Sequence, residues 1–247
     1  MQQCIGDCHA VLFDFAGTLF DERSLRQPML ENLQWLAEKL GLSTDEKTLR
    51  ASYKRGLREA YIAYMGKTSY RHDAFFAACY RNSFFDAASN ADEVLIAEAV
   101  ARQNHNTATR LQLRHDCVET LRGLRAAGKH VQVVSNFDER PLVLALKNCG
   151  LLAEIDNWTS SESAGSCKTD TGIFQIALNK AECDASDAIY VGDAPMHDVV
   201  GAKASGMTAV LIDPLKRHAE IEESRWRPDF RIESLAALSC PKMQGAG

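Results

Sequence analysis

Val11-Leu12-Phe13-Asp14-Phe15-Ala16-Gly17-Thr18-Leu19-Phe20 is the stretch on which the reading of this chain turns. The apolar run from Ala10 to Phe13 is long enough for one buried strand, and it closes on a carboxylate, Asp14. Gly17 and Thr18 come next, residue types of a tight turn that brings backbone N–H groups close to a ligand. Ligands of open α/β sheets bind outside the carboxyl ends of the strands. A buried strand delivering one Asp to that edge therefore suits a nucleophile or a metal ligand. Taken alone, the same residues also read as a strand ending in a turn-forming Asp.

After Phe20 the chain changes character. From Asp21 to Leu113 the periodicity is helical. Pro28–Leu40 carries Met29, Leu33, Leu36, Ala37 and Leu40 on one face, with Gly41 as its stop. Thr44–Met65 reads as a second helix with Thr44 as N-cap, Arg71–Phe85 as a third with an aromatic face, and Asp92–Asn104 as a fourth. Strands and helices then alternate. Helices are expected over Asp116–Ala127, Arg140–Asn148, Thr171–Cys183 and Asp198–Ser205. Strands are expected over His130–Val134, Ile155–Thr159, Ala188–Val191 and Thr208–Ile212. Alternation of this kind means βαβ units and a parallel sheet. The expected fold is α/β, a Rossmann-like parallel sheet with helices on both faces and an inserted α-helical cap. Residues 1–20 and 114–247 form the core and 21–113 the cap, which leaves from the end of the first strand and so sits over the sheet's carboxyl edge. The tail from about Ser239 reads as frayed.

Composition narrows the classes. With 247 residues, 46% hydrophobic and 25% charged, the chain can bury a sizeable core without staples. A net charge of −5 with no basic run argues against nucleic acid as a partner. No apolar stretch approaches the length of a membrane span, and the first nine residues lack the order of a signal peptide. The eight cysteines are scattered without C-x-x-C spacing, which speaks against zinc and for reduced thiols in a cytoplasmic protein. The oligomeric state, monomer or homodimer, is left open.

Polar residues gather where the strands end. Asp14 ends the first, Ser135 and Asn136 the second, and Gly192-Asp193 a later one. Lys168 lies in a loop before a helix, and Asp198 stands five residues after Asp193. One edge thus collects three carboxylates, a hydroxyl, an amide and an amine. Clustered carboxylates repel unless a cation sits among them, and hard oxygen donors suit Mg²⁺. A phosphate needs an amine, a hydroxyl and backbone N–H groups. The chemistry these types suggest is phosphoryl transfer, with an Asp nucleophile forming an aspartyl-phosphate that water hydrolyses.

Asp14-x-Ala16-Gly17-Thr18, Ser135-Asn136, Lys168 and Gly192-Asp193-x-x-x-x-Asp198 resemble, in order and spacing, the four motifs of the haloacid dehalogenase-like (HAD) superfamily. The phosphatase-type branch is the nearer match, with Thr169 where that branch carries Pro. The resemblance implies that Asp14 is the nucleophile and a Mg²⁺ ligand, with the Ala16 carbonyl, Asp193 and Asp198 completing the metal shell. It implies that Ser135 and Lys168 hold the phosphoryl oxygens and that Gly17, Thr18 and Asn136 line the substrate's phosphate.

One position departs from the pattern. Phosphatases of this family carry an Asp two residues after the nucleophile, which protonates the leaving group and then activates water; here it is Ala16. General acid–base catalysis is worth ~10²–10⁴ in rate. Three readings compete. The first is a phosphatase acting on a small phosphorylated metabolite, with a substitute acid (Asp21, Glu22 or His72) or a substrate that needs none. The second is a phosphonate hydrolase, because Asp-x-Ala-Gly-Thr also resembles phosphonoacetaldehyde hydrolases, which use a cap lysine; Lys54 has close to the right spacing. The third is a binding protein that keeps the site without turnover. The intact Asp193/Asp198 pair argues against a dehalogenase, which needs no metal.

Overall fold

Alternate residues of the first strand belong to different cores, and this makes the molecule layered. In the computed structural model, residues 1–64, 66–84, 93–218 and 226–239 are described. Strand β1 (Ala10–Phe13) is buried along its whole length. Val11 and Phe13 pack into one apolar cluster with Leu121, Leu142 and Leu146. Ala10 and Leu12 pack into another with Phe174, Leu178 and Ala202. Side chains alternate across a pleat, so a strand apolar at every position needs helices on both faces.

A short helix α1 (Gln2–Asp7) precedes β1, an element that the sequence pattern does not signal. Four helices come after β1, namely α2 (Arg26–Lys39), α3 (Glu46–Tyr64), α4 (His72–Ser83) and α5 (Glu93–Arg110). They enclose a third core of Leu30, Leu33, Leu36, Leu49, Tyr80 and Ile96. Buried Asn32 ties the layer together, donating to Tyr80 Oη and the Ala99 carbonyl, both at 2.8 Å. The expected N-cap Thr44 is replaced by Asp45, whose Oδ1 accepts from the Thr48 amide at 2.7 Å. The fourth helix runs on to Arg110, because Thr107 and Ala108 remain on its buried face. Met65, Phe85 and Asp92, which the expected helices included, lie outside the described residues, as does the chain beyond Ser239.

The alternating half comprises α6 (Cys117–Ala126), β2 (His130–Ser135), α7 (Glu139–Asn148), β3 (Asn157–Ser160), α8 (Ser161–Ala164), α9 (Gly172–Ala181), β4 (Ala188–Gly192), α10 (Val200–Ala204), β5 (Thr208–Ile212) and β6 (Phe230–Ile232). The helix expected from Asp198 enters through a wider π-type turn, Pro195–Val199. Strand β6 is a correction: three residues, one of them exposed Arg231, give too short a pattern to read from sequence.

The six strands run in the order β3-β2-β1-β4-β5-β6, with every pairing parallel. The chain winds outward from β1 to β3 on one side and from β4 to β6 on the other. Its direction of winding reverses between β1 and β4, and a crevice for ligands opens at such a switch point. Register fixes what lines it. Phe13 sits opposite both Val133 and Val191, so Asp14, Ser135 and Asp193 all emerge within a residue of one another at the carboxyl edge.

Candidate active site

Asp14 leaves β1 with its amide still bonded to the Val191 carbonyl at 2.8 Å, which holds its backbone to β4. The residue is 5% exposed. One carboxylate oxygen accepts from the Lys168 ammonium and the other from Thr18 Oγ1 at 3.2 Å. Lys168 also donates to Asp198 Oδ1 at 2.7 Å, so one buried cation joins two carboxylates. Asp198 accepts two further bonds: Tyr190 Oη donates to Oδ1 at 3.2 Å and the Ala194 amide to Oδ2 at 2.9 Å. Asp198 thus helps to hold Lys168 against Asp14.

Asp193 differs. It has neither hydrogen-bond nor ion-pair partner among the described residues, yet one oxygen from each of Asp14, Asp193 and Asp198 lies within 4.8 Å of the others. Three carboxylates face one ammonium. Burial drives the Asp14 pKa to about 7, with Lys168 pulling it down and Asp198 pushing it up. Burial and the Asp14 charge likewise hold Asp193 well above the carboxylate range. Burial alone would lower Lys168, but Asp14 and Asp198 outweigh it and keep the amine charged. A site with this surplus of hard anionic oxygen and one unpartnered carboxylate fits a small divalent cation such as Mg²⁺.

Gly17 is required where it stands. Its φ is +79°, and a Cβ there would lie 2.2 Å from Asp193 Oδ2. The turn is clamped from outside by Arg114, which donates to the Thr18 carbonyl at 2.9 Å and to the Gly17 carbonyl. Sequence reasoning passed over Arg114 and Tyr190: the first looked like a boundary residue, the second like one more apolar strand position.

The other expected residues take these places. Ser135 is 1% exposed, and its Oγ accepts from the Phe137 amide at 3.4 Å. Asn136 uses Oδ1 to accept from the Lys168 amide at 2.8 Å, tying the second motif to the third. Thr18, expected at the substrate's phosphate, is fully buried, and its hydroxyl donates to Asp14. Ala16, Gly17 and Asp193 line a cleft of about 480 Å³ between the sheet edge and helices α2–α5. Asp14, Ser135 and Lys168 are buried and are not among its lining residues. Lys54 is exposed on α3 and does not line the cleft, whereas its neighbours Tyr53 and Leu57 do.

Asp138, three residues past Ser135, ties the helical layer to this edge. Its buried carboxylate accepts from the His72 and Asp73 amides, both at 3.0 Å, and meets the Arg71 guanidinium at 3.1 Å. It thereby caps α4, a helix 66 residues away in sequence. Asp138→Ala strands those donors and is expected to cost about 2–3 kcal/mol. Urea unfolding would measure it, and an unchanged midpoint would refute the coupling.

His72 sits on that cap, 4.5 Å from Phe137 and 4.7 Å from Phe76 between ring centroids. Burial lowers its pKa to about 4. The folded protein then binds fewer protons than the unfolded chain between about pH 4 and 6.5. Stability contributed by neutral His72 is fully present above that window and is lost as pH falls through it. The loss amounts to roughly 3 kcal/mol. His72→Gln should flatten the acid limb of a Tm-versus-pH curve; an unaltered limb would remove His72 as its cause.

A parallel sheet with a carboxylate–lysine pair and an acidic cluster at its switch point defines a hydrolase of the α/β class. The chain belongs to the haloacid dehalogenase-like hydrolases, whose family model matches residues 11–212. A ribulose-1,5-bisphosphate 5-phosphatase from Halopiger xanaduensis is 27% identical over 236 residues, covering 93% of this chain and 97% of that protein. The structure of Bacillus subtilis YfnB bound to magnesium superposes with a TM-score of 0.74 at 18% identity, over 94% of this chain and 96% of that one. A 2-haloacid dehalogenase from Pseudomonas syringae gives 0.66 at 25% identity, over 94% and 96%. The fold is therefore shared by enzymes of different chemistry, and the site has to decide between them.

Proposed function

We propose that this chain is a Mg²⁺-dependent phosphatase acting on a small phosphorylated metabolite through an aspartyl-phosphate on Asp14. The observation that carries the reading is the buried Asp14–Lys168–Asp198 array beside unpartnered Asp193. Halide displacement from a haloacid has no use for this surplus of negative charge, whereas a phosphoryl group arriving with a divalent cation does. Asp14, the Ala16 carbonyl, Asp193 and Asp198 would hold the Mg²⁺. The ion supplies screening between nucleophile and phosphate and stabilises the in-line transition state.

The chain's own groups do the rest. Thr18 and Lys168 fix both oxygens of Asp14 for attack. Lys168 and Ser135 take the phosphoryl oxygens, with the Gly17 and Asn136 amides beside them. Asp14 is 5% exposed, so substrate entry calls for movement of the α2–α5 layer, which we read as the cap. Arg26 and Arg217 line the cleft without ion-pair partners among the described residues, which suits a substrate with a second anionic group. The bisphosphate in the name of the Halopiger relative agrees with that. Lys54 does not line the cleft, so the phosphonate reading has no amine to work with there. Among the described residues no helix is long and apolar enough to cross a membrane. Cys4, Cys79, Cys117, Cys149, Cys167 and Cys183 are free thiols, in keeping with a cytoplasmic enzyme.

The test is a phosphate-release screen over phosphomonoesters and phosphonoacetaldehyde, with Mg²⁺ and with EDTA, alongside a halide-release assay on 2-chloropropionate. Phosphate release that EDTA abolishes is expected. Halide release indifferent to EDTA, or metal binding without any turnover, would sink the phosphatase.

A further inference from the structure

Ala16 leaves the leaving-group oxygen without the proton donor that a phosphomonoester needs, so another group at the cleft has to supply it. The cleft wall offers few. Asp21 is held by Arg23, whose amide and Nε both donate to its Oδ1 at 2.9 Å, and this bonding keeps its pKa below the usual range. Asp213 accepts from the Arg217 and His218 amides at 2.9 and 2.8 Å and is 3% exposed. Asp193 belongs to the acidic cluster. His72 is pressed among Phe75, Phe76 and Phe137 and stays neutral. Glu22 lines the same cleft as Ala16, Gly17 and Asp193, at the first turn of the 3₁₀ segment Glu22–Leu25 that leads into α2. Among the described residues its carboxyl has no hydrogen-bond or ion-pair partner. Glu22 is an exposed residue of that wall, on the same cleft lining as Tyr53 and Asp193.

We infer that Glu22 is the general acid–base residue of this enzyme, replacing the acid that Ala16 cannot provide. The inference rests on the phosphatase reading above. Desolvation by the cleft walls raises the Glu22 pKa in spite of Arg217, which favours the protonated form the first step needs. In that step an Asp14 oxygen bonds to phosphorus and the bond from phosphorus to the leaving oxygen breaks. The Glu22 proton passes to that oxygen, releasing the alcohol. In the second step water attacks the aspartyl-phosphate while the Glu22 carboxylate takes its proton. The phosphorus–Asp14 bond breaks, giving phosphate, free Asp14 and protonated Glu22. The sum is ester plus water to alcohol plus phosphate.

The dependence of kcat/KM on leaving-group pKa tests this, with Mg²⁺ and a series running from p-nitrophenyl phosphate to glycerol 2-phosphate. Glu22→Gln should lower the rate by about 10²–10⁴-fold on the alkyl ester and by less than about tenfold on the nitrophenyl ester, steepening the slope. The slope is a ratio within one protein, so partial misfolding does not move it. An equal loss on every ester, or an unchanged slope, overturns the role of Glu22 while leaving the phosphatase standing. Steepening by His218→Gln in place of Glu22→Gln overturns it too. A wild type inert toward the whole series overturns both readings together.

Discussion

Asp14→Asn is expected to lower phosphate release by roughly 10⁶-fold, the scale seen when a hydrolase loses its nucleophile. The amide keeps the shape of the carboxyl and can still meet Thr18, so the change removes chemistry and little packing. Its effect on stability should have the opposite sign. Asp14 is buried, and that burial has already lifted its pKa to about 7, so ionisation is costly in the folded state. A neutral Asn relieves that cost and leaves Lys168 paired with Asp198 alone. In EDTA the variant should therefore melt no lower than the wild type, and Mg²⁺ should stabilise it less. Such a trade of stability for function is common at charged sites. Steady-state phosphate release and paired melting curves check both halves. Residual turnover near the wild-type level would show that Asp14 is not the nucleophile.

Lys168→Met should produce the other large loss, in stability as well as rate. Lys168 is 4% exposed and serves two carboxylates that are 5% and 1% exposed. Breaking a buried ion pair by removing one partner costs about 3–5 kcal/mol, because the remaining charge has neither water nor counter-ion. Two such charges stay behind here. Met fills most of the volume, so the deficit would be electrostatic and not a cavity. Mg²⁺ should recover part of it, since a cation near Asp14, Asp193 and Asp198 supplies some of the missing charge. Urea unfolding with and without Mg²⁺ measures the loss. A midpoint equal to the wild type in EDTA would mean that the array contributes nothing to the fold. Arg is not expected to rescue activity, since its planar fork cannot replace a compact ammonium between two carboxylates.

Much of the site was legible in the chain because its residues stand where strands end. Apolar runs at Ala10–Phe13, His130–Val134 and Ala188–Val191 give three neighbouring strands, and the polar residue after each one is a site residue. Periodicity and spacing carry that information locally. What the neighbours do to each residue is not local. The family resemblance placed Thr18 at the phosphate, and the bond from its buried hydroxyl to Asp14 carried no signal in the sequence. Tyr190 gave no polar signal inside an apolar run, and only the packing of β4 against the Pro195–Val199 turn brought its hydroxyl to Asp198.

The order of residues along the chain was enough for the α/β alternation, the inserted helices, the carboxyl edge and the identity of the charged groups there. It also exposed the missing acid at Ala16. Packing was needed to establish that Lys168 bridges Asp14 and Asp198, that Asp193 has no ion-pair partner among the described residues, and that Glu22 lines the cleft while Lys54 does not. The reason is physical. Periodicity says which face of an element is apolar, but which charges lose water and which partners reach them depends on contacts between residues such as Asp14 and Lys168, 154 positions apart.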